Sequence, residues 1–128
     1  MEQRVLLVDD SSVMRGMIKR VFEACNLVKW EFSEASDGVE GLQILQNNLF
    51  DLILLDVHMP RMNGLEFLEK ARAISGLEQV PVIVITSECS PQQLDQIKAH
   101  QASIIQKPFT PEILQDNIRQ ILQSTKSA

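Results

Sequence analysis

Val5-Leu6-Leu7-Val8-Asp9-Asp10 is an apolar run that stops on a pair of carboxylates. An uninterrupted stretch of β-branched and leucine residues reads as a strand buried on both faces, the situation of a parallel sheet. The pattern recurs along the chain. Leu52–Leu55 ends on Asp56, Val82–Ile85 ends on Thr86, and Ile104-Ile105 leads one residue later to Lys107. If each run is a parallel strand, these polar residues all lie at strand C-terminal ends. That rim is where open α/β sheets place their chemistry.

Between the runs the hydrophobic period changes from continuous to helical. After Ser11-Ser12, which can cap a helix, Val13, Met14, Met17, Ile18, Val21 and Phe22 recur at helical spacing. Trp30 and Phe32 alternate with Glu31 and Ser33, as in a half-exposed edge strand. Asp37-Gly38 signals a turn, and Val39, Leu42, Ile44 and Leu45 a short helix closed by Asn47-Asn48. The loop Met59–Gly64 precedes a helix carrying Leu65, Phe67, Leu68 and Ala71, expected to stop near Ser75-Gly76. Pro91 opens a polar helix with Leu94 and Ile97, and Pro111 a last one with Ile113, Leu114, Ile118, Ile121 and Leu122 inward.

Strands alternating with helices predict an α/β fold, a doubly wound five-stranded parallel sheet with five helices. The strand order 2-1-3-4-5 is borrowed from a common doubly wound arrangement. It would set Asp9-Asp10 beside Asp56. One domain is expected over residues 1–128, with an ordered core over about 4–123 and a fraying tail at 124–128.

Composition narrows the partners. A net charge of −5 and no basic run argue against nucleic acid and anionic membrane. The apolar runs are far shorter than a membrane helix needs. The N-terminus lacks a signal-peptide pattern, and Cys25 and Cys89 have no metal-ligand spacing. The expectation is a cytoplasmic protein with reduced thiols, monomeric.

Three crowded carboxylates repel, and a divalent cation relieves them. Magnesium, which takes one or two carboxylates, water and phosphate oxygens, suits Asp9, Asp10 and Asp56 better than zinc does. Asp56 can act as a nucleophile toward a phosphoryl group, Thr86 can donate its hydroxyl, and Lys107 can neutralise charge. Each has a blander reading when taken singly. Asp9-Asp10 can cap a helix, Asp56 and Thr86 can merely end strands, and Lys107 can be a solvated charge. Coincidence at four strand ends is the harder account.

Val8-Asp9-Asp10-Ser11-Ser12, Leu55-Asp56-Val57-His58-Met59-Pro60 with Asn63-Gly64, Thr86-Ser87, and Lys107-Pro108-Phe109 together resemble the receiver domain of two-component response regulators. Asp9–Arg15 and Lys107–Thr110 look most like its CheY-type single-domain members. The resemblance implies a flavodoxin- and CheY-like fold and a stand-alone signalling protein, not an enzyme acting on an external substrate. It implies that Asp56 takes a phosphoryl group from a sensor histidine kinase. It implies that Asp9, Asp10, Asp56 and the backbone carbonyl of His58 hold Mg2+. Thr86 and Lys107 would engage the phosphate. A face made by helix 4, strand 5 and helix 5 would bind a protein target, with chemotaxis as the expected pathway.

The chain also departs from the family pattern. Ile104 stands where an aromatic is common, and His100-Gln101 where Gly-Ala usually follows helix 4. Gly41 replaces a frequent alanine, a mild helix penalty. His58 and Glu88 flank the expected phosphoryl site. His100 reads as a solvated helix-end residue, and Met59 and Met62 as exposed in the active-site loop. Competing functions are a phosphorelay intermediate or phosphate sink, a magnesium-dependent phosphohydrolase using Asp56, and a flavodoxin-like cofactor binder. Asp9-Asp10 would repel the phosphate of that last ligand.

Overall fold

The computed structural model describes residues 2–25, 28–57, 59, 62–74, 76–87 and 90–126. Strands and helices alternate throughout. They are β1 (Glu2–Val8), α1 (Ser12–Cys25), β2 (Lys29–Ala35), α2 (Gly38–Asn47), β3 (Leu52–Asp56), α3 (Gly64–Arg72), β4 (Val82–Thr86), α4 (Pro91–Ala99), β5 (Ser103–Gln106) and α5 (Pro111–Lys126). All strand pairings are parallel, in the order β2-β1-β3-β4-β5. The borrowed order is therefore the observed one.

The sheet has a core on each side because side chains alternate along a strand. Leu6, Val8, Ile53, Leu55, Val82 and Val84 point toward α2, α3 and α4, where Leu45, Phe67, Leu68 and Ile97 meet them. Val5, Leu7, Leu52, Leu54, Ile83 and Ile85 point the other way, toward Ile18, Phe22, Leu114 and Ile118 of α1 and α5. All five residues of β3 and all five of β4 are buried. Full burial of each such aliphatic contributes about 1.5–3 kcal/mol. These central strands thus form a rigid base for whatever their ends carry. β2 is the edge strand anticipated from Trp30 and Phe32, both half-buried and stacked edge-on against Phe22.

Local chemistry starts the helices. The Ser11 hydroxyl accepts from the Met14 N–H at 3.1 Å. Asp37 caps α2 through the Glu40 N–H, and Asn63 caps α3 through the Glu66 N–H. Ser90 and Gln93 form a reciprocal capping box on α4.

Several expectations need correction. α3 ends at Arg72, before the expected stop at Ser75-Gly76, since Ala73 already caps it. Ser75 lies outside the described residues. α5 runs to Lys126, past the expected core limit at 123, because no glycine or proline follows Pro111. Residues 127–128 lie outside the described residues. Met59 and Met62 are not exposed but partly buried against the α2–α4 core. Gly41 is more than a helix penalty, because a Cβ there would lie 2.8 Å from the Phe67 ring. Cys25 is a free thiol whose burial pushes its pKa up. Cys89 lies outside the described residues.

Candidate functional site

Sheet register brings the acids together. Val8 pairs with Leu55 across β1 and β3, so Asp9 and Asp56 leave the sheet as neighbours. One carboxylate oxygen from each of Asp9, Asp10 and Asp56 lies within 4.8 Å of the others, with Asp9 and Asp56 buried and Asp10 exposed. Thr86 is buried at the end of β4, one residue past Ile85, the partner of Asp56. The Lys107 N–H donates to the Thr86 carbonyl at 2.8 Å. Its ammonium lies 3.5 Å from Asp56 Oδ2. The Lys107-Pro108 bond is cis. Asp9, Asp10, Asp56, Thr86 and Lys107 thus share one rim. His58 and Glu88 lie outside the described residues.

The acids are held in unlike ways. Asp9 Oδ1 accepts the Ser11 N–H at 2.8 Å, while Asp9 Oδ2 is buried with no hydrogen-bond partner. Burial pushes the Asp9 carboxyl above its ordinary pKa. The Ser11 N–H opposes this, the Asp56 charge adds to it, and Lys107 and Asp10 make smaller contributions of opposite sign. The buried Asp9 Oδ2 has no hydrogen-bond partner, and the Lys107 ammonium lies against Asp56 instead. Oxygen donors of this kind fit magnesium, which favours hard ligands and keeps several waters. The exposure of Asp10 leaves room for those waters. No metal-ligand group of histidine or cysteine joins the cluster among the described residues, as zinc would favour.

The rim has supports that no sequence motif announces. Arg15 Nη1 donates to the Asp9 main-chain carbonyl. Its Nε donates at 2.9 Å to Glu34 Oε1, and Lys19 holds the other Glu34 oxygen at 2.9 Å. The Lys19 contact does most to hold the Glu34 carboxyl below its ordinary pKa; burial opposes it, and Arg15 adds to the lowering. Gly64 is a second support. Its N–H donates to the Val57 carbonyl at 2.8 Å, and a Cβ would fall 2.5 Å from the Asp56 carbonyl oxygen. Only glycine lets α3 start this close to β3. A cleft of about 340 Å³ opens beside Asp10, between Met59, Asn63 and Leu65 on one side and Gln93 and Ile97 on the other. The Ser90-x-x-Gln93 spacing was a legible signal for that wall. The Arg15–Glu34 contact joins residues 19 apart in sequence and has no local signal.

The family model of the response regulator receiver domain matches residues 5–119. The chain belongs to the response regulator receiver family. This receiver is 34% identical over 123 residues to chemotaxis protein CheY of Pseudomonas aeruginosa, covering 94% of this chain and 96% of that one. It is 36% identical over 121 residues to chemotaxis protein CheY1 of Helicobacter pylori, covering 93% and 96%. Among solved structures it is similar to the Vibrio cholerae chemotaxis response regulator CheY4, with 34% identity, a TM-score of 0.84 and coverage of 94% and 99%. A CheY-like receiver from Methanospirillum hungatei matches with 28% identity, a TM-score of 0.87 and 100% coverage of both chains. Among the described residues, no helix of this receiver is long and apolar enough to cross a membrane.

Proposed function

We propose that this receiver takes a phosphoryl group on Asp56 from a phosphohistidine of a sensor kinase and thereby switches its binding to a protein target in chemotaxis-type signalling. The carrying observation is the Asp9–Asp10–Asp56 cluster with the Lys107 ammonium at 3.5 Å from Asp56. In the transfer, the phosphorus–nitrogen bond of the donor breaks as an Asp56 oxygen–phosphorus bond forms, giving an acyl phosphate. The donor imidazole keeps the electron pair and takes up a proton.

Asp9, Asp10 and Asp56, with the main-chain carbonyl of His58, would hold Mg2+. When bound, it would offset the negative charge of carboxylates and phosphoryl oxygens. The chain's own residues do the rest. Arg15 and Ser11 fix the Asp9 loop, while Gly64 lets Asp56 sit against the start of α3. Lys107 gives up a carboxylate oxygen for the phosphoryl oxygens, and the Thr86 hydroxyl donates to them. Contacts made only in the phosphorylated state supply the differential energy that a population shift requires. Lys107 follows β5 and Thr86 precedes α4, so the α4–β5–α5 face is the surface that changes. Ile104, half-buried on the α4 side of the sheet, gives that face an aliphatic side chain where a ring is usual. The change there is one of helix position rather than of a swinging ring.

Incubation with Mg2+ and a small phosphodonor should attach a single phosphoryl group. Phosphate-affinity gels on wild type and Asp56→Asn test this. Undiminished labelling of Asp56→Asn would remove the assignment, and Lys107→Ala should still be labelled yet fail to switch its target.

A further inference from the structure

Helix α4 is held mainly at its ends. Ile97 alone among its residues is fully buried, with Gln93 and Leu94 half-buried. Its N-terminus is closed by the Ser90–Gln93 capping box, four residues after Thr86. Its other end closes with the His100 N–H on the Gln96 and Ile97 carbonyls and with two further hydrogen bonds, Gln101 N–H to the Lys98 carbonyl at 2.9 Å and Ala102 N–H to the Ile97 carbonyl at 3.4 Å. That pair is a Schellman stop, which places the residue after the C-cap in the left-handed region and favours glycine there. Here the residue is Gln101, with φ 61°. Glutamine in that region carries a steric cost, which contacts from outside the helix can offset.

Arg72, at the end of α3, supplies such contacts. Its Nε donates to the His100 carbonyl at 2.9 Å and its Nη2 to the Gln101 carbonyl at 3.5 Å. Its Nη1 reaches the Leu77 and Val80 carbonyls at 3.1 and 2.6 Å. His100, expected to be solvated, is half-buried and supplies one of these acceptors. The planar fork of arginine suits several acceptors at once, and a cation is favourable at a helix C-terminus. Lysine offers neither the fork nor the reach to four carbonyls.

We propose that Arg72 is a C-cap delivered in trans. It holds the non-glycine stop of α4, and it makes that end of the helix the fixed pivot about which a movement starting at Thr86 is transmitted. The pivot rests on the phosphoryl-switch reading above; the cap does not. The cap makes a specific demand: glycine at position 101 should do the work of Arg72 for α4, and only for α4.

Hydrogen exchange on the intact chain tests this, with wild type, Arg72→Met, Gln101→Gly and the double variant, all without metal. Arg72→Met should speed exchange at Gln96–Ala102 about tenfold or more, the scale of a lost charged hydrogen bond. The double variant should return those amides to within about threefold of wild type. Its 77–80 loop should stay fast, because glycine at 101 replaces no contact there. Unchanged α4 exchange in Arg72→Met, or a double variant no slower than Arg72→Met, overturns the cap. If Arg72→Met does not fold, Arg72→Lys should loosen α4 more weakly and again be corrected by Gln101→Gly; wild-type exchange in it has the same negative meaning. Mg2+ with beryllofluoride then tests the pivot. Wild-type α4 should respond along its length, and Arg72→Met only near Ser90. Equal responses overturn the pivot. No response in wild type removes the switch reading and the pivot together, while the metal-free comparison still decides the cap.

Discussion

Gly64 shows how one missing side chain can set a functional geometry. The positions a Cβ would clash with are the Asp56 carbonyl oxygen and, at 2.7 Å, the Val57 Cα. Both are backbone, so neither can yield as a flexible side chain would. Gly64→Ala should cost about 1–3 kcal/mol in urea unfolding, and it should slow phosphoryl labelling more than the stability loss alone explains. Labelling at the wild-type rate would show that Asp56 tolerates a shifted α3. Glu34 works at the same scale through charge. Its carboxyl is held below the ordinary value by Lys19 and Arg15, so it binds fewer protons folded than unfolded. The stability it contributes is present above the ordinary value of 4.5 and is lost as pH falls below it. The pair is partly exposed, which keeps the magnitude small. Glu34→Gln should cost about 0.5–1 kcal/mol at neutral pH and progressively less as pH falls below that ordinary value. Melts across that range check the sign, and a deficit independent of pH would mean packing rather than charge.

At the scale of elements, the same substitution should have opposite effects on two helices. Gly16 is in mid-α1 with nothing within 4 Å of where a Cβ would stand, while Gly41 of α2 faces the Phe67 ring at 2.8 Å and Val8 at 3.3 Å. Gly16→Ala should therefore stabilise by about 0.5–1 kcal/mol through backbone entropy alone. Gly41→Ala should destabilise despite the same propensity gain, because Phe67 is fully buried and cannot retreat. Adding Phe67→Leu should recover part of that loss, so that the double variant costs less than the two single changes added by about 1 kcal/mol or more. Additive costs would mean the two residues do not compete for one space. The helices themselves were readable from apolar spacing, caps and prolines. The need for glycine at 41 was not, because the residue that imposes it lies on α3.

For the whole molecule, legibility followed the chain's local order. Buried parallel strands, their number and the rim residues Asp9, Asp10, Asp56, Thr86 and Lys107 could be read because each strand announces its own end. Arg72 and Arg15 could not, since their partners are main-chain carbonyls and a carboxylate set by tertiary contact. Such contacts decide how the rim couples to the rest of the fold. The coupling with most consequence is electrostatic. Metal-free, the folded chain confines three carboxylates, one with an unpartnered buried oxygen. The unfolded chain separates and hydrates them, so the buried Asp9 charge opposes folding. A divalent cation binding only the folded state reverses this, with a gain of about 2.7 kcal/mol at a hundredfold excess over its dissociation constant. Mg2+ should therefore raise the melting temperature in a concentration-dependent way, and chelation should lower it again. Asp9→Asn keeps the oxygen that accepts from Ser11 but removes the buried charge. It should melt higher than wild type without metal and lose most of the Mg2+ response. A variant that melts lower without metal, or that keeps the full response, would mean that Asp9 is stabilised by its surroundings rather than held for a cation.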